Sequence, residues 1–290
     1  MNTIYSLGLY EKGMPETLDI PEKLKYAKKA GYDFIEMSID ETDEKLARLD
    51  WCNDEIKKIL DAQKENNIAI SSFCLSGHRR FPLGHPDHII RSQSLEIMKK
   101  SINLAVNLGV RIIQIAGYDV YYEESNSLTR LYFKENLYKS VEFAAKHGVI
   151  LAFENMETEF LNTVEKAMFW VDGIESPYLQ IYPDTGNMTN AGKIYGIDAV
   201  SDFETGRGHI VALHLKESRP NVYREVPYGE GHVDFERIIS AALHFGVRMF
   251  LAEFWHLGET NWFDIIKRNG QFLRSIIEHN LSHSYNYERN

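Results

Sequence analysis

The chain reads as an α/β protein: one parallel (β/α)8 barrel, a TIM barrel, in a single domain. Three observations predict this. Helical patterns end in glycine and lead straight into short apolar runs, as at Ala30-Gly31-Tyr32-Asp33-Phe34-Ile35, Leu108-Gly109-Val110-Arg111-Ile112, His147-Gly148-Val149-Ile150 and Phe245-Gly246-Val247-Arg248. Glycine after a helix takes the left-handed conformation at no steric cost. The apolar runs are continuous and bounded by turn residues, the pattern of strands buried on both faces of a parallel sheet. Strand and helix patterns alternate over about 250 residues, the usual size of such a barrel. An open doubly wound sheet is the competitor. It carries a Gly-rich phosphate turn after its first strand, and Gly8-Leu9-Tyr10-Glu11-Lys12-Gly13 lacks that spacing.

In chain order, the first strand is expected at Ile4–Leu9. A helix at Pro21–Ala30 follows, with Leu24, Ala27 and Ala30 on one face, and then strands at Phe34–Ser38 and Ala69–Leu75. The helical pattern Ile89–Leu108 places Ile90, Leu95, Met98, Ile102, Ala105 and Val106 at helical spacing and feeds a fourth strand at Arg111–Ala116. The alternation continues as helix Leu131–Lys146, strand Ile150–Glu154, helix Val164–Asp172 and strand Leu179–Pro183. Strand Ile210–Leu215, helix Phe235–Phe245, strand Arg248–Phe254 and helix Trp262–His279 complete it. The barrel is thus expected over residues 1–280. Residues 281–290 are expected to form a polar tail that frays, and His279 and His283 in this region to be solvated.

Composition narrows the function. The chain has 290 residues, is 44% hydrophobic and carries a net charge of -10. That charge argues against nucleic acid or an anionic membrane as the main partner. Cys52 and Cys74 are the only cysteines and give neither a disulfide framework nor zinc-ligand spacing. No apolar run approaches the roughly 20 residues of a membrane span. Met1-Asn2-Thr3 lacks a basic region followed by an apolar one, so no signal peptide is expected. The expectation is a soluble cytoplasmic protein.

Four consecutive strand patterns end in a ligand-type side chain: Glu154, Asp184, His214 and Glu253. The catalytic face of a (β/α)8 barrel lies at the carboxyl ends of its strands, so all four belong to one rim. Buried charges need partners, and three carboxylates beside one imidazole would repel unless a cation sat among them. One divalent metal ion is the simplest candidate. Three oxygens and one nitrogen suit Zn²⁺ or Mn²⁺, and equally Co²⁺ or Mg²⁺. Taken singly, Asp184 could merely cap the next turn and His214 could be a core histidine. Four such coincidences on consecutive strands are less economical than one shared site. Strands five and eight of an eight-strand ring face each other across about 135°. Glu154 and Glu253 would therefore flank a metal-held substrate and act as an acid/base pair on opposite faces of one carbon. This is the chemistry of an epimerase or isomerase working through an enediolate next to a ketone.

At these residues the chain resembles the xylose-isomerase-like barrel superfamily, and within it the pentulose-phosphate 3-epimerases. The resemblance is carried by Phe34-Ile35-Glu36-Met37-Ser38-Ile39-Asp40-Glu41, Cys74-Leu75-Ser76-Gly77-His78-Arg79-Arg80-Phe81-Pro82-Leu83-Gly84 and Gln114-Ile115-Ala116-Gly117-Tyr118-Asp119. Tyr182-Pro183-Asp184-Thr185-Gly186-Asn187, Gly208-His209-Ile210-Val211-Ala212-Leu213-His214-Leu215-Lys216 and Gly229-Glu230-Gly231-His232-Val233-Asp234-Phe235 extend it. It implies metal ligands at Glu154, Asp184, His214 and Glu253, with Glu154 and Glu253 as the acid/base pair. It also implies interconversion of L-xylulose 5-phosphate and L-ribulose 5-phosphate, a step of bacterial ascorbate breakdown. Free-ketohexose epimerases carry a substrate-binding His three residues after the Asp ligand and an Arg six residues after the His ligand. Here those positions are Asn187 and Pro220, and Asn187 is what the phosphate-sugar members carry.

The expected phosphate contacts are His78, Arg79 and Arg80 after the third strand, with Lys216, and Arg219 close by. Arginine forks match phosphate geometry. The bland alternative is a salt bridge from this cluster to the acidic stretch Asp40–Glu44. Glu36 is expected to contact a substrate hydroxyl or, more in keeping with its place, to orient His78. Tyr118, Tyr121 and Tyr122 read as loop packing, His232 as a loop residue rather than a second-metal ligand, and Trp255 and His256 as pocket lining. A homodimer through rim loops is a further expectation. Three rival functions stand beside the 3-epimerase: another ketose epimerase or aldose–ketose isomerase, an endonuclease IV-like phosphodiesterase, and a silent sugar-binding barrel. The phosphodiesterase needs more histidines and a basic face, and a binder has no use for paired bases.

Overall fold

The structure, a computed structural model, describes residues 4–287, with side chains described through residue 282. Eight strands alternate with helices: β1 (Ser6–Tyr10), α1 (Ile20–Lys29), β2 (Phe34–Ile39), α2 (Asp43–Ala47), α3 (Asn53–Asn66), β3 (Ala69–Leu75), α4 (His88–Leu108), β4 (Ile112–Ala116), α5 (Ser127–His147), β5 (Ile150–Glu154), α6 (Val164–Ile174), β6 (Leu179–Ile181), α7 (Thr185–Tyr195), α8 (Ala199–Glu204), β7 (Leu213–Leu215), α9 (Phe235–His244), β8 (Met249–Ala252) and α10 (Trp262–Tyr287). The strands form one sheet, ordered β6-β5-β4-β3-β2-β1-β8-β7, with every pairing parallel. Isolated bridges from Ile181 to Ile210 and from Asp184 to His214 join β6 to β7 and close the ring. The (β/α)8 expectation holds.

The period-2 alternation of a strand sorts side chains between the barrel's interior and its helical coat. Outward residues such as Leu7, Ile35, Ile113, Leu151, Leu213 and Phe250 join the main core under the helices. Inward residues Phe34, Ala152, Tyr182, Ala212 and Leu251 make a second apolar cluster inside the ring, with Ile112 packed against it. Gly8 belongs to this interior by necessity, because a Cβ there would lie 2.2 Å from the Phe34 ring. Two residues further along the same inward faces come Glu36, Gln114, Glu154, Asp184, His214 and Glu253. An apolar plug therefore carries a polar layer at the carboxyl ends of the strands.

Several elements depart from the sequence expectation. The Ile210–Leu215 strand shrinks to Leu213–Leu215, and the Leu179–Pro183 strand stops at Ile181. Pro183 has no N–H to give a ladder, so the β6–β7 seam is held by single bridges. The expected Arg248–Phe254 strand ends at Ala252, where its partners Leu9 and Leu215 run out. Helix α3 was not foreseen because its sequence is mostly polar and buries only Ile59 and Ala62. Helix α7, rich in Thr, Asn and Gly, has weak intrinsic propensity and is held by burial of Thr185–Ala191. Helix α10 runs on to Tyr287, so residues 281–287, expected as tail, continue a helix. The side chain of His283 and the expected tail at 288–290 lie outside the described residues. His279, expected to be solvated, faces Glu236 at 3.6 Å. Among the described residues no helix is long and apolar enough to cross a membrane.

Candidate metal centre and substrate pocket

Each of the four strand-end residues reaches the same point by a local device. Glu154 is the last residue of β5 and pairs in register with Ala116. Asp184 is the N-cap of α7: its Oδ1 accepts from the backbone N–H of Asn187 at 2.7 Å. Its own N–H donates to Asn155 Oδ1 at 2.7 Å. His214 is the middle residue of β7, bridged to Asp184. Glu253 follows β8 and donates its N–H to the Leu215 carbonyl. One ligand atom from each of the four lies within 4.8 Å of all the others. The residues are 5%, 0%, 1% and 7% exposed.

The electrostatics call for a cation. His214 Nδ1 lies 2.8 Å from Glu253 Oε2 and 3.7 Å from Glu154 Oε1, and Nε2 lies 3.0 Å from Glu36 Oε1. Lys216 Nζ sits 3.0 Å from Asp184 Oδ1, 4.0 Å from Glu253 Oε2 and 2.9 Å from Asn187 Oδ1. Four carboxylates thus face one ammonium and one imidazole, and the shortfall of positive charge falls on Asp184. Burial pushes its carboxyl well above the usual range, and Glu253 and Glu154 add to this against the pull of Lys216. Burial alone would push the His214 imidazole down, but Glu36 and Glu253 outweigh it and hold it up. Burial would raise Glu253, but Lys216 and His214 hold it below the carboxylate range. Asp184 Oδ2 is buried with no hydrogen-bond partner among the described residues. An orphaned carboxylate oxygen among three oxygens and one nitrogen fits a divalent cation.

The group opens into a pocket with an empty volume of about 550 Å³. Of the residues expected at the substrate, Asn187, Lys216 and Arg79 line it together with Glu154 and Glu253. Asn187 is fixed by donating to the Asn155 carbonyl at 2.7 Å and accepting from Lys216. Arg79 lies over the Tyr121 ring, 4.9 Å from its centroid, and its buried Nε has no partner.

The other expected contacts, His78, Arg80, Arg219 and Glu36, are not among the residues that line this pocket. His78 turns inward to the Ser94 carbonyl at 3.2 Å, and burial lowers its pKa to about 4. Arg80 is exposed and pairs with Asp43 at 2.6 Å, so for Arg80 the salt bridge to the acidic stretch prevails. Arg79 ends the short turn Gly77–Arg79 and lines the pocket, while Arg80 follows the turn and reaches Asp43. Arg219 is exposed and pairs with Glu230 at 3.2 Å. Glu36 contacts His214 rather than His78, and its second oxygen accepts from Ser72 Oγ at 2.7 Å.

Tyr118, Tyr121 and Tyr122 pack in series, the first pair tilted at 5.0 Å and the second edge-to-face at 4.9 Å between centroids. His232 bonds Ser218 and stands outside the four-residue group. Trp255 lines the pocket, while His256 faces the Glu259 carbonyl.

Sequence reasoning missed Lys12, Glu157 and Arg224, all of which line the pocket. Glu157 accepts from Tyr121 Oη at 2.9 Å and from Arg224 at 3.3 Å. Burial would raise its carboxyl, but its own backbone N–H, Arg224, Tyr121 and Arg79 hold it down. Lys12, directly after β1, was within reach of the strand-end argument. Arg224 lies eight residues beyond the nearest pocket residue on its strand, so only the path of the loop reveals it.

A family profile described as the xylose isomerase-like TIM barrel matches residues 24–276. The L-ribulose-5-phosphate 3-epimerases UlaE of Shigella boydii serotype 18 and of an Escherichia coli strain are each 44% identical to the chain over 250 residues. That is 86% of this chain and 87% of theirs. Among solved structures, that of an L-ribulose 3-epimerase superposes with a TM-score of 0.75 at 18% identity, covering 97% of each chain. At that identity it speaks to the fold. A profile match through most of the chain, with relatives at this level of identity, makes the protein a member of the xylose isomerase-like TIM barrel family.

Proposed function

We propose that this isomerase is a metal-dependent sugar-phosphate 3-epimerase that interconverts L-xylulose 5-phosphate and L-ribulose 5-phosphate. One observation carries the reading: Glu154 and Glu253 approach the same point from β5 and β8, in a group that also holds Asp184 and His214. The UlaE relatives, named for this 3-epimerase activity, support the choice of substrate. Glu154, Asp184, His214 and Glu253 would hold one divalent cation, with Zn²⁺ and Mn²⁺ the leading choices. When bound, such an ion supplies Lewis acidity to the ketose carbonyl and so acidifies the neighbouring C3–H.

The side chains of this chain account for the rest. One glutamate takes the C3 proton on its face, leaving an enediolate, and the other returns a proton on the opposite face. Gln114 donates to Glu154 Oε2 at 2.5 Å, which leaves Oε1 to face the reacting carbon. Lys216 orients Glu253 from the other side. The Lys216 ammonium also offers fixed positive charge beside the developing oxyanion. Arg79, Arg224 and Lys12, which line the pocket, would receive the phosphate, Lys12 and Arg224 from their pairings with Asp40 and Glu157, in the roles first expected of His78, Arg80 and Arg219.

Turnover of each pentulose 5-phosphate in D₂O tests this. The product should carry deuterium at C3, and a chelator should abolish both exchange and turnover. Label at C1 would instead assign an aldose–ketose isomerase, and no label at either carbon would refute proton abstraction altogether. Glu154→Gln and Glu253→Gln should each keep C3 exchange for one epimer only and lose epimerisation.

A further inference from the structure

We infer that Glu217 is a positioning residue. Its carboxylate is the clasp of the 218–233 loop, which delivers Tyr223 and Arg224 to the pocket. The inference rests on the pocket reading above and adds the device that assembles its outer wall. Glu217 is 3% exposed. Among the described residues no cation lies in ion-pair contact with it, unlike Glu11, whose buried carboxylate pairs with Arg48 and Lys45. Its partners are backbone amides of the loop itself. Oε1 accepts from Ser218 N at 3.0 Å and from Val233 N at 3.1 Å, and Oε2 accepts from Gly229 N at 3.1 Å. The first amide opens the loop and the other two close it. A buried carboxylate is tolerable when N–H donors saturate it, and here that need shapes the sixteen residues 218–233.

The loop is built around this clasp. A Cβ on Gly231 would lie 2.2 Å from both Glu217 Oε1 and the Ser218 carbonyl, so the backbone passes where only glycine fits. Gly229 takes φ +81°, and Asn221 and Glu225 take φ 62° at the two bends. Asn190 on α7 holds the first bend through Asn221 N at 3.0 Å. Between the bends the loop turns Tyr223 and Arg224 into the pocket. Arg224 there meets Glu157, which follows β5, at 3.3 Å, and lies over Trp255, which follows β8, at 5.9 Å. Released from Glu217, the loop keeps its anchors at Tyr228 on the Leu215 carbonyl, at Asn221 on Asn190 and at His232 on Ser218 but loses the three amide bonds that Glu217 makes at its two ends.

Glu217→Gln puts an amide donor against backbone donors and is the direct test. Amides of residues 218–233 should exchange with deuterium at least about tenfold faster, the scale set by one buried N–H left unpaired. The β7 and β8 amides should be unchanged. The KM for L-xylulose 5-phosphate should rise about tenfold, with kcat held within about threefold, and adding Arg224→Ala should cost little more. Gly231→Ala, which leaves the carboxylate in place but crowds it, should reproduce the loop exchange if Glu217→Gln does not fold. Wild-type exchange in both variants overturns the clasp. So does an unchanged KM in Glu217→Gln when Arg224→Ala alone raises it. If Arg224→Ala leaves KM unchanged, the phosphate reading of Arg224 fails, and the exchange result alone upholds or overturns the clasp.

Discussion

Glu36→Gln should weaken divalent-metal affinity by about 10–100-fold while leaving the barrel folded. Glu36 is not among the four candidate ligands. It stands on β2, across the ring, with Oε1 3.0 Å from His214 Nε2. Neither atom has a hydrogen-bond partner elsewhere among the described residues. Its other oxygen is held by Ser72 Oγ at 2.7 Å, so the carboxylate is aimed rather than merely near. The edge of the imidazole is also confined by Tyr182, 4.4 Å away between ring centroids. A cation among the four ligands needs the Nδ1 lone pair, which places the proton on Nε2 facing Glu36. Glutamine keeps the shape but removes the charge that favours this tautomer. At about 1.4 kcal/mol per tenfold, the loss amounts to about 1.4–2.8 kcal/mol of binding energy. Competition with a chromophoric chelator for Zn²⁺ and Mn²⁺ measures it, with circular dichroism to confirm the fold. Ser72→Ala should give a smaller loss in the same direction. Affinity within twofold of wild type in Glu36→Gln would refute the reasoning.

Three further predictions follow from particular contacts. Arg79→Ala should raise the KM for a pentulose 5-phosphate by at least about tenfold, as expected for loss of a charge-assisted contact, whereas Arg80→Ala, which breaks only the exposed pair with Asp43, should not change it. Steady-state kinetics on the two single variants separates them. His78 is neutral in the fold because burial holds it near 4. As pH falls below the ordinary value of about 6.5, the unfolded chain gains a proton that the folded chain refuses until about pH 4. Stability contributed above that window is therefore lost on acidification through it, by about 3 kcal/mol. In His78→Gln, urea unfolding between pH 7 and 4 should show a correspondingly flatter dependence on pH. Gly8→Ala should destabilise the barrel by about 1–3 kcal/mol through overpacking against Phe34, measured as a lower denaturant midpoint with an unchanged m-value.

The four candidate ligands were legible in the sequence because their placement is local. Each stands directly after, or at the end of, a short apolar run, and a strand's period of two puts it on the same face as an interior residue two positions earlier. Arg79 and Arg80 were not separable in this way, since adjacent residues in a turn point apart and only the turn's conformation says which one enters the pocket. Glu36 was recognised as a supporting residue but given the wrong partner. His78 is near in sequence reasoning because both follow strands of one rim, yet the interior of the ring brings Glu36 to His214 instead.

From the sequence alone come the barrel, the rim on which chemistry can occur and the kind of side chains gathered there, because these depend on periodicity and on which strand end a residue occupies. The tertiary structure decided what surrounds that group. It selected Arg79 over Arg80, added Lys12, Glu157 and Arg224, and gave Asp184 two tasks, capping α7 through one oxygen while the other remains without a partner. Those outcomes depend on the paths of loops and on contacts between strands far apart in the chain, which no local pattern of residues encodes.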